Sequence, residues 1–222
     1  MAKKIYVSVS TDPEKDLSKV VDYAKCMQGE ADMLHCDIMD AKFVKKKTYD
    51  HVLLDKINDN TLIMLDVHLM CGEPLKSIKD YLKAGANILT VHYEAFENKN
   101  DLAEAAAVIH EANALAGISI CPSTSVSDIK MYINMFDVVL VMSVVPGESG
   151  QSFMPAMLDK IKELDDLRKG NDYNFKIEVD GGINGENVQA VIDAGADMIV
   201  SGSYVYNASD RKQAIDSLRG KK

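Results

Sequence analysis

The first residues in this sequence that could do chemistry are histidines and aspartates. They stand two positions apart, the spacing that places two side chains on the same face of a β-strand. His35 and Asp37 are two positions apart. In the next apolar run, Asp66 and His68 repeat that spacing. Residues i and i+2 of a strand point to the same face, so each pair would present both side chains on one side. Imidazole nitrogens mixed with carboxylate oxygens suit a divalent ion such as Zn²⁺, Fe²⁺ or Mn²⁺.

Another acid, Asp180, ends a short apolar run and is followed by Gly181 and Gly182. Glycine has no Cβ, so these two backbone amides could approach a ligand closely. A tight turn after a strand is the plain alternative, because an acid followed by two glycines is a common turn sequence. With Asp180 added, two histidines and two aspartates would meet if the ends of their three strands lie side by side.

The elements that must position these residues alternate regularly along the chain. Short β-like runs and longer amphipathic stretches recur at intervals of about 25–30 residues, the length of one strand–helix unit. Gly29, Gly85 and Gly195 each follow a helical pattern and mark its end. We predict eight strands, at residues 5–9, 33–37, 62–68, 88–92, 117–121, 138–142, 176–180 and 198–201.

Eight alternating β and α units predict an α/β fold, a (β/α)8 TIM barrel in which residues 1–222 form one domain. A chain of this length fits one such barrel, since these domains run to about 200–250 residues. A doubly wound open sheet is the alternative, but no G-x-G-x-x-G fingerprint follows the first strand. Because barrel enzymes place their chemistry at the C-terminal ends of the strands, the polar residues at those ends are the candidates for function.

Small residues follow the last three predicted strands and could form a phosphate site. Glycine amides and a serine can donate hydrogen bonds to an anion, and in this barrel phosphate often lies across the last loops. An ordinary turn is the alternative for any one loop. The residues predicted to contact the substrate in these loops are Gly147, Glu148, Ser149, Gly150, Gly181, Gly182, Gly202 and Ser203.

The composition of the chain argues against some kinds of binding partner and some cellular compartments. The net charge of −9 opposes attraction to nucleic acid or to anionic membranes. No apolar run approaches the roughly 18 residues of a membrane span, and the first residues lack the apolar core of a signal peptide. The four cysteines form no C-x-x-C pair, which favours a reducing compartment. We therefore expect a cytoplasmic protein with a small-molecule substrate.

Five motifs, in order and across nearly the whole chain, resemble the ribulose-phosphate 3-epimerase family. They are His35-x-Asp37-x-Met39-Asp40, Asp66-Val67-His68-Leu69-Met70, Val145-Pro146-Gly147-x-x-Gly150-Gln151-x-Phe153, Glu178-Val179-Asp180-Gly181-Gly182 and Gly202-Ser203. The resemblance implies a metal-dependent isomerase of carbohydrate metabolism. Its expected reaction interconverts D-ribulose 5-phosphate and D-xylulose 5-phosphate, a step of the pentose phosphate pathway, by inversion at C3.

The resemblance also assigns roles within the site. It implies that His35, Asp37, His68 and Asp180 hold one divalent ion, which could be Zn, Fe, Mn or Co. It implies that Asp37 and Asp180 are the acid and base on opposite faces of the substrate, and that His68 also contacts the substrate. The C3 proton lies next to a carbonyl, so its removal requires stabilisation of the negative oxygens that form.

Other site residues follow from the same resemblance. Met39, Met70 and Met142 are expected to wall the active site, although methionine is also ordinary core filler. A serine at the end of the first strand should contact the substrate. Ser8 and Ser10 share one strand face, and we favour Ser8. The family resemblance further implies a homo-oligomer, either a dimer or a hexamer.

The chain departs from the family pattern near the mouth of the expected barrel. Lys45, Lys46 and Lys47 replace a segment that usually contains Pro-Asn, before a helix predicted to begin near Thr48. Glu148 and Ser149 replace Phe-Gly in the phosphate loop, and Tyr93 stands where proline is common. These changes affect the expected sugar and phosphate contacts but leave the metal set intact.

Three alternatives to this reaction remain. The substrate could be D-allulose 6-phosphate or another related sugar phosphate. The chain could be a sugar-phosphate-binding barrel without activity, although such a protein would have no need of four metal ligands. A metal-independent aldolase, isomerase or decarboxylase would place a catalytic lysine at a strand end, whereas Lys176 begins its strand.

Overall fold

Eight parallel strands close into a barrel in the computed structural model, which describes residues 3–14 and 16–220. Each strand pairs with the next along the chain, and β1 pairs with β8. The C-terminal ends of all eight strands therefore meet at one face. The strands are β1 (Tyr6–Ser10), β2 (Met33–Met39), β3 (Met64–Met70), β4 (Ile88–His92), β5 (Leu115–Ile120), β6 (Val138–Met142), β7 (Lys176–Asp180) and β8 (Met198–Ser201).

Helices follow the strands and cover the outside of the barrel. Left-handed glycines end three of them, as predicted: Gly29 (φ 89°), Gly85 (φ 95°) and Gly195 (φ 128°). The helices are α1 (Leu17–Met27), α2 (His51–Asn58), α3 (Pro74–Lys83), α4 (Asp101–Glu111), α5 (Val126–Ile129), α6 (Met157–Asn171), α7 (Val188–Ala194), α8 (Ser203–Tyr206) and α9 (Arg211–Ser217), with 3₁₀ turns at Tyr93–Ala95 and Ile133–Met135. No helix in the described part of the chain is long and apolar enough to cross a membrane.

The interior of the barrel changes from apolar to polar along the strands. Near the N-terminal ends Met33, Ile88, Val138 and Met198 pack together from β2, β4, β6 and β8. A layer built from alternate strands is the usual filling of this barrel. Above that layer the inward side chains of β1, β2, β3 and β7 are polar and almost completely buried, namely Ser8, His35, Asp66 and Glu178. The polar half of the interior lies under the C-terminal face.

The bounds of two site-bearing strands differ from the prediction. β2 continues past Asp37 to Met39, and β3 continues past His68 to Met70. Met39 and Met70 are partners in the β2–β3 ladder. The extensions follow from buried apolar residues that continue the alternation beyond the polar pairs. The parity argument still holds, since each methionine is two residues beyond its polar neighbour and lies on the same face.

Candidate active site

His35 forms the floor of the candidate site and is held from below by Asp66. The His35 Nδ1 atom lies 2.6 Å from Asp66 Oδ2, which also accepts a hydrogen bond of 2.8 Å from the Ser8 hydroxyl. A carboxylate behind a histidine fixes the ring and the nitrogen that carries its proton. The other ring nitrogen, Nε2, is buried and makes no well-aligned hydrogen bond among the described residues, although Asp37 Oδ1 lies 3.3 Å from it. Such an orphaned atom fits a site that binds a further group.

Four residues converge above this floor as a candidate metal centre. Asp37 Oδ1 lies 3.3 Å from His35 Nε2 and 3.1 Å from His68 Nδ1, and Asp180 Oδ2 lies 4.0 Å from His35 Nε2. The four residues each offer one ligand atom within 4.8 Å of the others. Opposite ligands of one ion, with bonds of roughly 2.0–2.3 Å, stand up to about 4.6 Å apart. The residues therefore fit one divalent ion after a shift of a few tenths of an ångström.

The electrostatics of the site give its two aspartates different acidities. Burial opposes the charge on Asp37, but His35 and His68 outweigh it and hold the Asp37 pKa well below its usual range. Burial, helped by the charge of Asp37, raises the pKa of Asp180 to about 7. Although burial opposes it, the carboxylates of Asp66 and Asp37 raise the pKa of His35 well above its usual value. Near neutral pH and without a bound ion, Asp37 is thus ionised while Asp180 is partly protonated.

A single cavity at the C-terminal face contains most of the residues expected from the sequence. His35 and His68 are completely buried and are not among the described residues that line it, whereas Asp37 and Asp180 are. The expected residues that line the cavity are Asp37, Met39, Met70, Met142, Gly147, Glu148, Ser149, Gly150, Asp180, Gly181, Gly182, Gly202 and Ser203. The structure therefore brings the three methionines and all three glycine loops to the same opening as the two acids.

The choice of Ser8 as the substrate-facing serine needs correction. Ser8 is completely buried and donates its hydroxyl to Asp66, below the aspartates of the cavity. Ser10, two residues further along β1, lines the cavity and lies 3.4 Å from Asp37 Oδ2. Both serines share one strand face, as expected, but of the two only Ser10 lines the cavity.

Close packing explains the glycines at the end of β7. A Cβ on Gly181 would lie 2.6 Å from the Val144 side chain, and a Cβ on Gly182 would lie 2.4 Å from the backbone nitrogen of Phe153. Both have left-handed φ angles, of 127° and 67°. The β7 loop therefore passes tightly against the β6 loop, and their amides lie at the same cavity. No lysine or arginine is among the described residues that line it.

The lysine segment after β2 divides into one anchored and two exposed side chains. Lys46 Nζ lies 2.5 Å from Asp12 Oδ1, and Asp12 lines the cavity. Lys45 and Lys47 are exposed. The predicted start of the next helix near Thr48 was wrong: α2 begins at His51, because the Asp50 side chain caps it by accepting from the amide of Val52. Thr48 instead closes the segment by donating to the Asp37 carbonyl at 2.6 Å.

Two residues next to the site, His92 and Glu178, were not predicted from the sequence. His92 Nε2 lies 2.8 Å from His68 Nε2, and His92 Nδ1 lies 3.0 Å from Glu94 Oε2. Glu178 is buried in a group with His35 and Asp66. His92 ends β4, as Asp37 and His68 were predicted to end β2 and β3, so its strand-end position was the available signal. Glu178 is two residues before Asp180 on β7, so strand parity was the available signal that it shares the inward face.

Comparisons with known proteins agree on one family. The chain matches the sequence model of the ribulose-phosphate 3 epimerase family over residues 5–206. It is 42% identical over 197 residues to a ribulose-phosphate 3-epimerase of Bacillus subtilis (strain 168), covering 88% of this chain and 89% of that protein. It is 38% identical over 223 residues to the protein of that name from Synechocystis sp., covering 100% and 96%.

A solved structure with low sequence identity shares the architecture. The 3-keto-L-gulonate-6-phosphate decarboxylase of Vibrio cholerae superposes with a TM-score of 0.73 at 17% identity, covering 98% of this chain and 96% of that chain. At this identity the likeness shows the barrel fold alone.

Proposed function

The chain belongs to the ribulose-phosphate 3-epimerase family and is an isomerase, and from that premise we propose that it inverts C3 of D-ribulose 5-phosphate to give D-xylulose 5-phosphate, and the reverse. The observation that carries the proposal is the pair of carboxylates, Asp37 and Asp180, which line one cavity above the orphaned His35 Nε2. Inversion at a carbon next to a carbonyl requires a proton to leave one face and another to arrive at the opposite face. Two carboxylates with different acidities supply both.

The two aspartates divide the proton transfer between them. In one direction the ionised carboxylate of Asp37 takes the C3 proton, and the protonated carboxyl of Asp180 gives a proton to the opposite face. In the other direction the two residues exchange roles. In the site without an ion the two carboxyls already differ in acidity, because burial raises the pKa of Asp180 while His35 and His68 lower that of Asp37.

The proposed ligands of a divalent ion are His35, Asp37, His68 and Asp180. A bound cation, which could be Zn, Fe, Mn or Co, supplies the positive charge that stabilises the negative oxygens of the substrate after C3 loses its proton. The methionines Met39, Met70 and Met142 exclude water from the reacting carbon. Ser10 orients the substrate from the side of β1.

The phosphate of the substrate is proposed to lie on the loops after β6, β7 and β8. Residues 147–150, Gly181, Gly182 and the Gly202-Ser203 pair place small residues and amide donors along this side of the cavity. Glu148 is exposed at the edge of the cavity and brings a negative charge toward the same anion. Binding would therefore depend on backbone amides rather than on a basic side chain.

Turnover of two substrates tests the proposal. The purified protein should convert D-ribulose 5-phosphate far faster than D-allulose 6-phosphate, and its metal content should be measured in the same preparation. Preference for allulose 6-phosphate would move the function to the related epimerase. No conversion of either sugar by metal-loaded protein would remove the proposal.

Three further expectations are predictions on which the reaction does not depend. They are a homo-oligomer of two or six copies, a cytoplasmic location, and one domain spanning residues 1–222.

A further inference from the structure

A chain of hydrogen bonds runs from the candidate metal centre to a carboxylate outside it. His68 presents Nδ1 to Asp37 Oδ1 at 3.1 Å and Nε2 to His92 Nε2 at 2.8 Å. His92 presents Nδ1 to Glu94 Oε2 at 3.0 Å. Both rings are completely buried, so each nitrogen depends on these neighbours for its partner.

The acceptor end of the chain is fixed by the loop after β5. Glu94 Oε1 accepts a hydrogen bond of 2.8 Å from the amide of Cys121 and another from the hydroxyl of Thr124. Lys160 holds that loop in place, because its ammonium group donates to the carbonyls of Cys121 and Pro122 at 2.9 and 3.0 Å and to that of Thr124. Glu94 thus meets two donors on one oxygen and offers the other to His92.

With both rings neutral, these partners allow two arrangements of the protons, because Asp37 at one end and Glu94 at the other both accept. In the first arrangement, the Nδ1–H of His92 donates to the ionised carboxylate of Glu94. A neutral imidazole has a single N–H, which makes His92 Nε2 an acceptor. The neighbouring nitrogen of His68, Nε2, must then be the donor. His68 is left with a bare Nδ1, and this is the nitrogen that faces Asp37 and the other metal-binding atoms. In the second arrangement the Nδ1–H of His68 donates to Asp37, and His92 turns a bare Nδ1 to Glu94. Only the first arrangement leaves His68 Nδ1 free to bind an ion.

We propose that Glu94, acting through His92, is a positioning residue that keeps the proton of His68 on Nε2 and leaves Nδ1 free to bind the ion of the candidate site. This inference rests on the metal centre of the proposed function. The Glu94 relay, defined as Glu94, His92 and His68, orients a ligand from β3 in the way that Asp66 orients His35 from within the barrel.

The same residues are less suited to holding a second ion. His92, Glu94 and Cys121 lie close enough to be ligands. However, both ring nitrogens of His92 already have partners, and Glu94 already meets three donors. An ion there would displace several of these hydrogen bonds, whereas the relay uses all of them.

An isosteric substitution distinguishes the relay from simple packing. In Glu94→Gln, an amide oxygen facing Cys121 and Thr124 puts the NH₂ group against His92 Nδ1. That nitrogen must then accept, which moves the His92 proton to Nε2 and the His68 proton to Nδ1. The opposite amide orientation would set NH₂ against the donors of Cys121 and Thr124. Thr124→Val is the matched control, because it removes one donor but leaves the carboxylate on His92.

Zinc affinity of the full-length protein is the first measurement, by competition with a chromophoric chelator. We expect Glu94→Gln to bind zinc about 10–100-fold more weakly than the parent. Thr124→Val should stay within about threefold, or 0.65 kcal/mol. His92→Leu, which removes the acceptor, should lose affinity as Glu94→Gln does. His92→Gln retains an amide oxygen for His68 and should recover most of the loss. These two variants test the relay even if Glu94→Gln fails to fold.

The second measurement is the tautomer of His68, from long-range ¹H–¹⁵N spectra of histidine-labelled protein without zinc. A purely structural role of Glu94 in packing would not change this tautomer. The proton of His68 should be on Nε2 in the parent and on Nδ1 in Glu94→Gln. An unchanged His68 tautomer, or parent-like zinc affinity in Glu94→Gln, overturns the relay. A parent that binds no zinc overturns the metal centre and the relay together. A parent that binds zinc but does not convert ribulose 5-phosphate refutes only the proposed function.

Discussion

Asp37 and Asp180 differ in acidity because of their neighbours, although they are the same residue type at the same cavity. Asp37 lies within 3.3 Å of two histidine nitrogens, which stabilise its charge. Asp180 is 4.0 Å from the nearer of them and feels the negative charge of Asp37. Since an acid and a base are both needed, this asymmetry is what the proposed proton transfer uses. A bound cation would lower the pKa of both carboxyls.

Replacing either aspartate tests the two-base scheme directly. Asp37→Asn and Asp180→Asn keep the side-chain shape but lose the transferable proton and the charge. We expect each to lower kcat at least about 10³-fold, within the range for loss of an acid or base. Steady-state assays should be combined with metal analysis and circular dichroism. Turnover within about tenfold of the parent in a folded, metal-loaded variant, some 1.4 kcal/mol of barrier, would contradict the scheme.

The sequence predicted the residues of the site better than their depth. The i, i+2 spacing correctly grouped His35 with Asp37 and Asp66 with His68, because strand parity depends only on local geometry. It could not rank Ser8 against Ser10, since depth depends on how neighbouring strands are staggered. In the barrel Ser8 is level with Met33, and Ser10 is level with His35. That register is a property of the closed sheet.

The loops after β6 and β7 pack against each other, and this contact limits which residue can stand at Gly182. Gly182 and Gly150 both have left-handed φ angles, of 67° and 79°. An added Cβ on Gly182 meets the Phe153 backbone at 2.4 Å, whereas nothing lies within 4 Å of one on Gly150. Alanine at Gly150 would therefore introduce backbone strain alone, whereas alanine at Gly182 would add a steric clash to that strain.

We expect Gly150→Ala to destabilise the protein by about 1 kcal/mol, the ordinary penalty of a left-handed residue. Gly182→Ala should lose about 3 kcal/mol, because the clash with backbone adds to that penalty. Urea denaturation at neutral pH measures both. Equal losses in the two variants would mean that the loop at Phe153 relaxes and that close packing is not the reason for Gly182.

Arg168 joins α6 to the elements around β7 and β8. Its guanidinium donates to Asp165 at 2.8 Å, to the carbonyls of Phe175 and Gly195 at 3.1 and 2.9 Å, and to Asp197. The side chains of Arg168, Asp165 and Asp197 are 13%, 11% and 7% exposed. Without Arg168, Asp165 would keep only Lys169, and Asp197 only Lys3, as cationic partners in the described part of the chain, and both are lysines with exposed side chains. The loss of the buried guanidinium would therefore leave the two carboxylates poorly compensated.

Arg168→Met should therefore lower the free energy of unfolding by about 3 kcal/mol at pH 7. Lys162→Met is the control, since Lys162 and Asp166 pair on the same helix with both side chains more than 60% exposed, and we expect less than about 0.5 kcal/mol. Although burial opposes it, Arg168 helps to lower the pKa of Asp197. A lowered pKa stabilises the fold above the unfolded value of about 3.9, so the difference between parent and variant should shrink as pH falls below about 4. A difference independent of pH would contradict this origin.

The whole barrel was predictable because its pattern repeats. Each strand–helix unit shows the same alternation of a short apolar run and an amphipathic stretch. An error at one boundary therefore leaves the number of units unchanged. For example, β3 begins at Met64 and not at residue 62. Four predicted strands match the structure at both ends: β4, β6, β7 and β8. The helix starts were less predictable, as at α2, because side-chain caps such as Asp50 decide them locally.

The net negative charge of the molecule repels an anionic substrate. The net charge is −9, and no lysine or arginine is among the described residues lining the cavity. Approach of a sugar phosphate is therefore opposed at long range. Lys45 and Lys47 are exposed beside the mouth, on the segment in which Lys46 binds Asp12. Exposed lysines are often only solvated, but the position of these two beside the mouth predicts that they offset part of the repulsion at the entrance.

We expect the double change Lys45→Gln, Lys47→Gln to lower kcat/KM about two- to fivefold at low ionic strength while leaving kcat nearly unchanged, because steering acts on encounter and not on chemistry. The effect should fade as added salt shortens the Debye length to about 10 Å at 0.1 M. Lys56→Gln, Lys83→Gln is the matched control. It removes the same charge from the last turns of α2 and α3, which end at the opposite face of the barrel. If both double variants follow the parent at every salt concentration, Lys45 and Lys47 are solvated side chains without a role in encounter. An equal loss in both would assign the effect to net charge and not to the position of the lysines.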